Sequence, residues 1–351
     1  MAESQKRSGQ GFLIKGLLIA CGAAAVFALG FHTARSSSPP PTPEPAVEDA
    51  GEAIRQNGYA FINPLLECEI AEGRINTQLE PFKESVENII QSKIRNREIT
   101  EAAVYFRDMN NGPWFGINEK DEFLPASLLK LPLALSLYKL AESRPEILQE
   151  RVVLKQKYDF PGFVQTYPPS QEIEAGKDYS IEELLRASLI YSDNQATELL
   201  LLVAIPQLQQ KGFMGNAPIS LNNDLAYLDS IMSAEKEKLS VRDYSRFFRI
   251  LFNASFLNRD YSEQVLTLLN GVEFKQGLRA GVPSNIIVAH KFGESGTVGA
   301  EYQLHDCGII YYPNHPYLLC IMSRGENPDE LPLAIKEISE EAYNQVKKQF
   351  P

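Results

Sequence analysis

The sequence predicts an α/β fold of the α+β kind: an antiparallel sheet with terminal helices packed on it, plus an inserted all-helical lobe. Three observations predict it. Strand-like runs fall in two separated places, near residues 102–118 and again from 285 to 324. A helical pattern borders each group, one before the first and one after the last. The stretch between them, from about Glu119 to Gly281, reads as mostly helical.

The elements follow in order. Residues 1–11, with Lys6 and Arg7, are expected to form a cytoplasmic N-terminus. Residues 12–31, "FLIKGLLIACGAAAVFALGF", carry a single charge, Lys15. With Lys15 snorkelling, this span comes close to the ~20 apolar residues a membrane helix needs. The basic residues precede it, which orients the rest of the chain to the extracytoplasmic side. The rival is a cleaved signal peptide ending near Ala28-Leu29-Gly30. Cys21 also ends a lipoprotein-like box, but ten more mostly apolar residues follow it. Residues 32–58 are Pro-rich; "SSSPPPTPEP" cannot build a core and reads as an extended stalk. The folded domain is expected over 59–351.

Within it, "LEPFKESVENIIQSKI" (Leu79 to Ile94) is an amphipathic helix. "AAVYFRDMNNGPWFGIN" is a pair of strands joined at Asn110-Asn111-Gly112. "FLPASLLKLPLALSLYKL" (Phe123 to Leu140) reads as one mostly apolar helix. "NIIVAHKFG", "LHDCGIIYY" and "YLLCIMSR" are three strands, and "LPLAIKEISEEAYNQVKKQF" is the final helix. No internal repeat is present. A cleft between sheet and lobe is the expected place for a site.

Composition narrows the partners. A net charge of −11 disfavours nucleic acid. The four cysteines show no C-x-x-C spacing and the four histidines no H-E-x-x-H, so no metal and no cofactor are expected. Cys307 and Cys320 fall on adjoining strands. A turn at Pro313 to Pro316 sets Cys307 opposite Met322, so free buried thiols are expected. The domain is expected to be monomeric.

Ser127 and Lys130 stand three apart at a helix start, where side chains share a face. The bland reading is a cap and a snorkelling lysine; the sharper one is a nucleophile beside its base. Ser-x-x-Lys recurs at Ser136/Lys139 and Ser233/Lys236. Only Ser127 is followed in order by Ser192-Asp193-Asn194, which interrupts a helical pattern, and by Lys291-Phe292-Gly293 on a strand. Ser136 falls on the opposite side of the helix from Ser127.

These three ordered motifs resemble those of class A β-lactamases and penicillin-binding proteins. The resemblance spans about Ala102 to Gly325 and implies a β-lactamase/transpeptidase-like fold. It implies that Ser127 attacks a lactam or peptide carbonyl, that Lys130 is its base, and that Ser192 relays a proton to the leaving nitrogen. Asn194 would hold the substrate's amide side chain and Lys291 would attract its carboxylate. The backbone amides of Ser127 and Glu294 would form the oxyanion hole, and Gly293 would let substrate approach the strand edge. Asp193 reads as structural. His290, on an apolar strand, reads as a packed or hydrogen-bonded residue rather than a base.

Two departures stand out. Phe292 replaces the hydroxyl residue usual in the third motif, which weakens the case for tight penicillin recognition. The glutamate that drives deacylation in class A enzymes has no counterpart before Leu221-Asn222, where Pro218 stands; Asp224, Asp229 and Glu235 are the nearby carboxylates. The expected function is a membrane-anchored, extracytoplasmic serine hydrolase acting on a β-lactam. The alternatives are a D,D-peptidase acting on cell-wall peptides and a catalytically weak peptide-binding module. The full-length chain is expected to sediment with membranes and to withstand alkaline carbonate. A mature chain beginning near Phe31 or Arg35 would mark cleavage instead.

Overall fold

The computed structural model describes residues 54–56, 58–67, 79–110, 112–160, 165–210, 238–296 and 301–351. The expected anchor, 12–31, lies outside them, as does most of the stalk. Among the described residues no helix is long and apolar enough to cross a membrane.

Five strands form one antiparallel sheet: β1 (Glu101–Asp108), β2 (Trp114–Ile117), β3 (Ile287–Ser295), β4 (Tyr302–Tyr311) and β5 (Tyr317–Gly325), in the spatial order β2-β1-β5-β4-β3. The chain's two ends therefore meet at the β1–β5 pair, where Cys320 lies opposite Tyr105. The run Ala102–Phe106 of β1 is buried without alternation, as expected for a strand covered on both faces. The first helix, α1 (Glu80–Arg95), places Phe82 edge-on against Phe106 and Phe115, with ring centroids 4.9 and 4.8 Å apart. The last helix, α7 (Glu330–Gln349), packs beside α1 and lies over β4 and β5, while α1 lies over β1 and β2.

The inserted lobe contains α2 (Lys130–Ala141), α3 (Ile181–Arg186), α4 (Asn194–Gln210), α5 (Val241–Phe252) and α6 (Arg259–Asn270). Two short ladders, Glu122–Phe123 with Leu239–Ser240 and Arg151–Val153 with Asp178–Ser180, brace it. Serine caps set the helix starts. Ser180 and Glu183 form a reciprocal capping box on α3, and Ser240 Oγ accepts from the Asp243 amide on α5. Except for Lys139, every residue of α2 is buried, the mark of a helix at the centre of a lobe.

Two expectations are corrected. Phe123 to Leu140 is not one helix. Phe123 belongs to a ladder, Ala126 adopts φ 48°, and a 3₁₀ turn (Ala126–Leu129) leads into α2. Cys307 and Cys320 are not free thiols. They are direct partners in the β4–β5 register and form a disulfide. The turn sits one residue earlier than expected: the His315 amide donates to Tyr312 O, with Pro313 and Asn314 (φ 59°) between them. Proline followed by a residue with positive φ suits such a turn. Moving its centre by one residue moves every cross-strand partner by two, which brings Cys320 rather than Met322 opposite Cys307.

The first segment after the stalk is tied down by Glu263 of α6, whose carboxylate accepts from the amides of Ala60, Phe61 and Ile62. Peptide mapping of the unreduced, alkylated chain is expected to return a fragment linking Cys307 to Cys320. Quantitative alkylation of both thiols without reductant would contradict the pairing.

Candidate active site

Ser127 sits in the 3₁₀ turn that precedes α2. Side chains three apart eclipse in such a turn, so Ser127 and Lys130 are aligned more closely than α-helical spacing would give. The turn is held from two sides. Tyr244 of α5 donates its hydroxyl to Leu128 O at 3.0 Å. On the other side β3, the sheet's edge strand, presses Gly293 against it: a Cβ there would lie 2.8 Å from Pro125 O and 2.9 Å from Leu128 N. The missing side chain makes room for the nucleophile's own turn, where the sequence suggested room for substrate.

Ser192 follows a π turn, Ala187–Tyr191, that ends α3. It adopts the left-handed conformation (φ 57°, ψ 32°), a strained geometry of the kind concentrated at functional sites. Asp193 is structural, as expected. Its carboxylate accepts from the amides of Ile173, Gln195 and Ala196, capping α4 and fixing the loop before it.

The predicted residues converge on two lysines. Lys130 Nζ donates to Ser192 O at 2.6 Å and Asn194 Oδ1 at 2.8 Å, and lies 3.1 Å from Ser192 Oγ. Lys130 thus engages the Asn194 oxygen, and Nδ2 makes no hydrogen bond with a described residue. Lys291 Nζ, fully buried, also lies 3.1 Å from Ser192 Oγ, donates to Phe292 O and sits 4.4 Å from the Phe292 ring centroid. Ser127 Oγ is half-buried and makes no hydrogen bond with a described residue. Ser136 is excluded as nucleophile, because its buried hydroxyl donates to Pro132 O. Ser233 lies outside the described residues, as do Asp224, Asp229 and Glu235.

Burial sets the electrostatics. It pulls the Lys130 amine down to about 7, against the opposing pull of Asp193, Glu294 and Glu198. Burial, with the neighbouring Lys130 charge second, holds Lys291 well below the ordinary lysine range. Burial also raises the Asp193 and Glu294 carboxyls.

Several participants had no sequence signal. The Glu294 side chain, expected to matter only through its backbone, accepts from the amides of Thr166 and Tyr167 and straps that segment to β3. Tyr167 also meets Phe274 edge-on, and Phe274 stacks on Phe292 with centroids 4.4 Å apart. The substituted residue of the third motif is therefore locked in an aromatic cluster. Partners more than a hundred residues apart leave no local spacing to find. His290 is paired with Asp306 at 2.8 Å, in line with a packed, hydrogen-bonded residue. Among the described residues no group of three or more His, Cys, Asp or Glu side chains is placed to hold a metal ion.

Comparison with known proteins agrees with this fold. The model of the β-lactamase enzyme family matches residues 81–346. The chain is 23% identical over 279 residues to the β-lactamase VEB-1 of Pseudomonas aeruginosa, covering 76% of this chain and 89% of that one. It is 25% identical over 206 residues to the β-lactamase OXY-1 of Klebsiella oxytoca, covering 57% and 68%. Among solved structures it resembles PBP-A (TM-score 0.57, 19% identity, 77% of this chain and 97% of that one). It also resembles a β-lactamase from Chitinophaga pinensis (TM-score 0.59, 18% identity, 76% and 100%).

Gly293→Ala is expected to force β3 away from the Ser127 turn, with a loss of about 1–3 kcal/mol from overpacking against backbone. Denaturant melts of the variant test this, and an unchanged midpoint would contradict it.

Proposed function

The chain belongs to the β-lactamase enzyme family, and from that premise we propose that it is a serine hydrolase acylated at Ser127 by β-lactams. The observation that carries this reading is the wholly internal contact of Lys130 with Ser192 and Asn194. It supplies a lysine near neutrality one turn from a serine whose hydroxyl makes no hydrogen bond with a described residue.

In this reading Lys130, as a neutral amine, takes the proton of Ser127 Oγ as that oxygen attacks the carbonyl carbon. The proton passes through Ser192 Oγ, which touches both lysines, to the departing nitrogen. Asn194 Nδ2, which makes no hydrogen bond with a described residue, donates to the substrate's amide carbonyl. The backbone amides of Ser127 and Glu294 receive the developing oxyanion. Lys291 draws in the substrate carboxylate, with its neighbouring hydroxyl replaced by Phe292. Deacylation is slow relative to acylation, because no glutamate occupies the family's position before Leu221-Asn222. The domain acts as a monomer outside the cytoplasm, tethered to the membrane by residues 12–31, with no metal or cofactor.

A second reading, a D,D-peptidase acting on cell-wall peptides, is favoured by the Phe292 cluster, which takes up the place of a group that helps bind penicillins. Turnover of a chromogenic cephalosporin supports the first reading, and stable acylation without turnover supports the second.

A labelled penicillin is expected to modify Ser127 alone, and Ser127→Ala to abolish labelling without unfolding the domain. Label mapped to Ser136 or Ser233 would overturn the assignment. Lys130→Arg is expected to slow acylation strongly, since a guanidinium cannot give up its proton. Wild-type acylation should increase as pH rises through about 7, where Lys130 becomes neutral.

A further inference from the structure

The charges of three carboxylates reach Lys130: Asp193, Glu294 and Glu198. Two of them are engaged. Asp193 is held by three backbone amides, and Glu294 by those of Thr166 and Tyr167. Glu198 is different. It is half-buried and makes no hydrogen bond or ion pair with a described residue. It stands on α4 one turn beyond Asn194, and residues four apart on a helix share a face with Cβ atoms ~5–6 Å apart. Asn194 Oδ1 in turn touches Lys130 Nζ at 2.8 Å. One turn further on, Leu202 is 59% exposed, so this side of α4 opens to solvent. Glu198 thus stands one turn from the residue that holds the lysine, is partly open to solvent and has no partner among the described residues.

We propose that Glu198 is the general base of deacylation, activating the water that releases the acyl group from Ser127. The proposal rests on the reading of Ser127 as the acylated nucleophile. The water oxygen bonds to the acyl carbon while one of its protons passes to the Glu198 carboxylate. The bond from that carbon to Ser127 Oγ then breaks. Glu198 passes its proton to the neutral Lys130 amine, which in turn delivers one to Ser127 Oγ as that bond breaks. The second water proton leaves on the carboxylic acid product, so free serine and free acid account for the water consumed. A base on a helix, rather than on the loop that carries it in class A enzymes, predicts deacylation that is slow but not absent.

The test is time-resolved intact mass of the full chain with benzylpenicillin, following growth and decay of the adduct separately. Glu198→Gln keeps shape and removes the base. It is expected to form the adduct as wild type does and to lose it ~10²-fold more slowly. Glu198→Asp should regain part of the decay rate, and melting midpoints of both variants confirm folding. Equal decay in wild type and Glu198→Gln overturns the proposal. So does a wild-type adduct that never decays, or a slowing that appears instead in Asp224→Asn, Asp229→Asn or Glu235→Gln. Absence of both wild-type adduct and hydrolysed penicillin overturns the acylation reading and the Glu198 assignment together, a result distinct from the others; hydrolysis without an accumulating adduct overturns the Glu198 assignment if Glu198→Gln hydrolyses as fast.

Discussion

Two buried lysine nitrogens share one serine hydroxyl, Ser192 Oγ, at 3.1 Å each, and the arrangement of the site follows from that contact. Two ammonium ions cannot sit cheaply in so dry a place, because burial penalises the charged form. Lowering Lys130 from its usual 10.5 to about 7 corresponds to ~5 kcal/mol of preference for the neutral amine. A central helix supplies that burial: α2 begins at Lys130 and is apolar almost throughout. The same apolar sequence that builds the lobe therefore prepares the base.

Holding the three segments together requires strain and ties. Ala126 and Ser192, either side of the lysine contact, both adopt left-handed backbone, which costs of order 1–3 kcal/mol for a residue with a side chain. Each is fixed by its surroundings. The Ser127 turn is gripped by Tyr244 and by the close passage of Gly293, and the Ser192 turn by the three amides that Asp193 collects. Glu294 then joins β3 to the Thr166–Tyr167 strap. The two scaffold carboxylates are consumed in building the site, whereas Glu198, partly exposed, has no partner among the described residues.

Much of this was legible in the sequence, and the limits have physical causes. The three motifs are short-range patterns, and it was the family they resemble that implied Ser127, Lys130, Ser192, Asn194 and Lys291 come together. The sheet was legible because strand-like runs fall in two separated places, each bordered by a helical pattern. The cysteine pair was misread because register depends on the centre of a turn, and one residue of error there shifts the partner by two. The Phe123–Leu140 helix was misread because apolar content cannot distinguish a helix from a ladder, Pro125 and a left-handed Ala126. The strap was invisible, since Glu294 and Thr166 are 128 residues apart and meet through backbone amides that any sequence carries. Gly293 was recognised as a point of close approach, but only the fold shows that the approaching group is the turn carrying Ser127.

The central claim is that burial keeps Lys130 available as a neutral base. Its direct measure is an NMR titration of the folded chain with ¹³C- and ¹⁵N-labelled lysine, assigned by comparison with Lys130→Arg. The account predicts an ammonium-to-amine transition for Lys130 near pH 7, with the domain folded on both sides of it. A Lys130 signal that remains ammonium until the ordinary lysine range near 10.4 would contradict it.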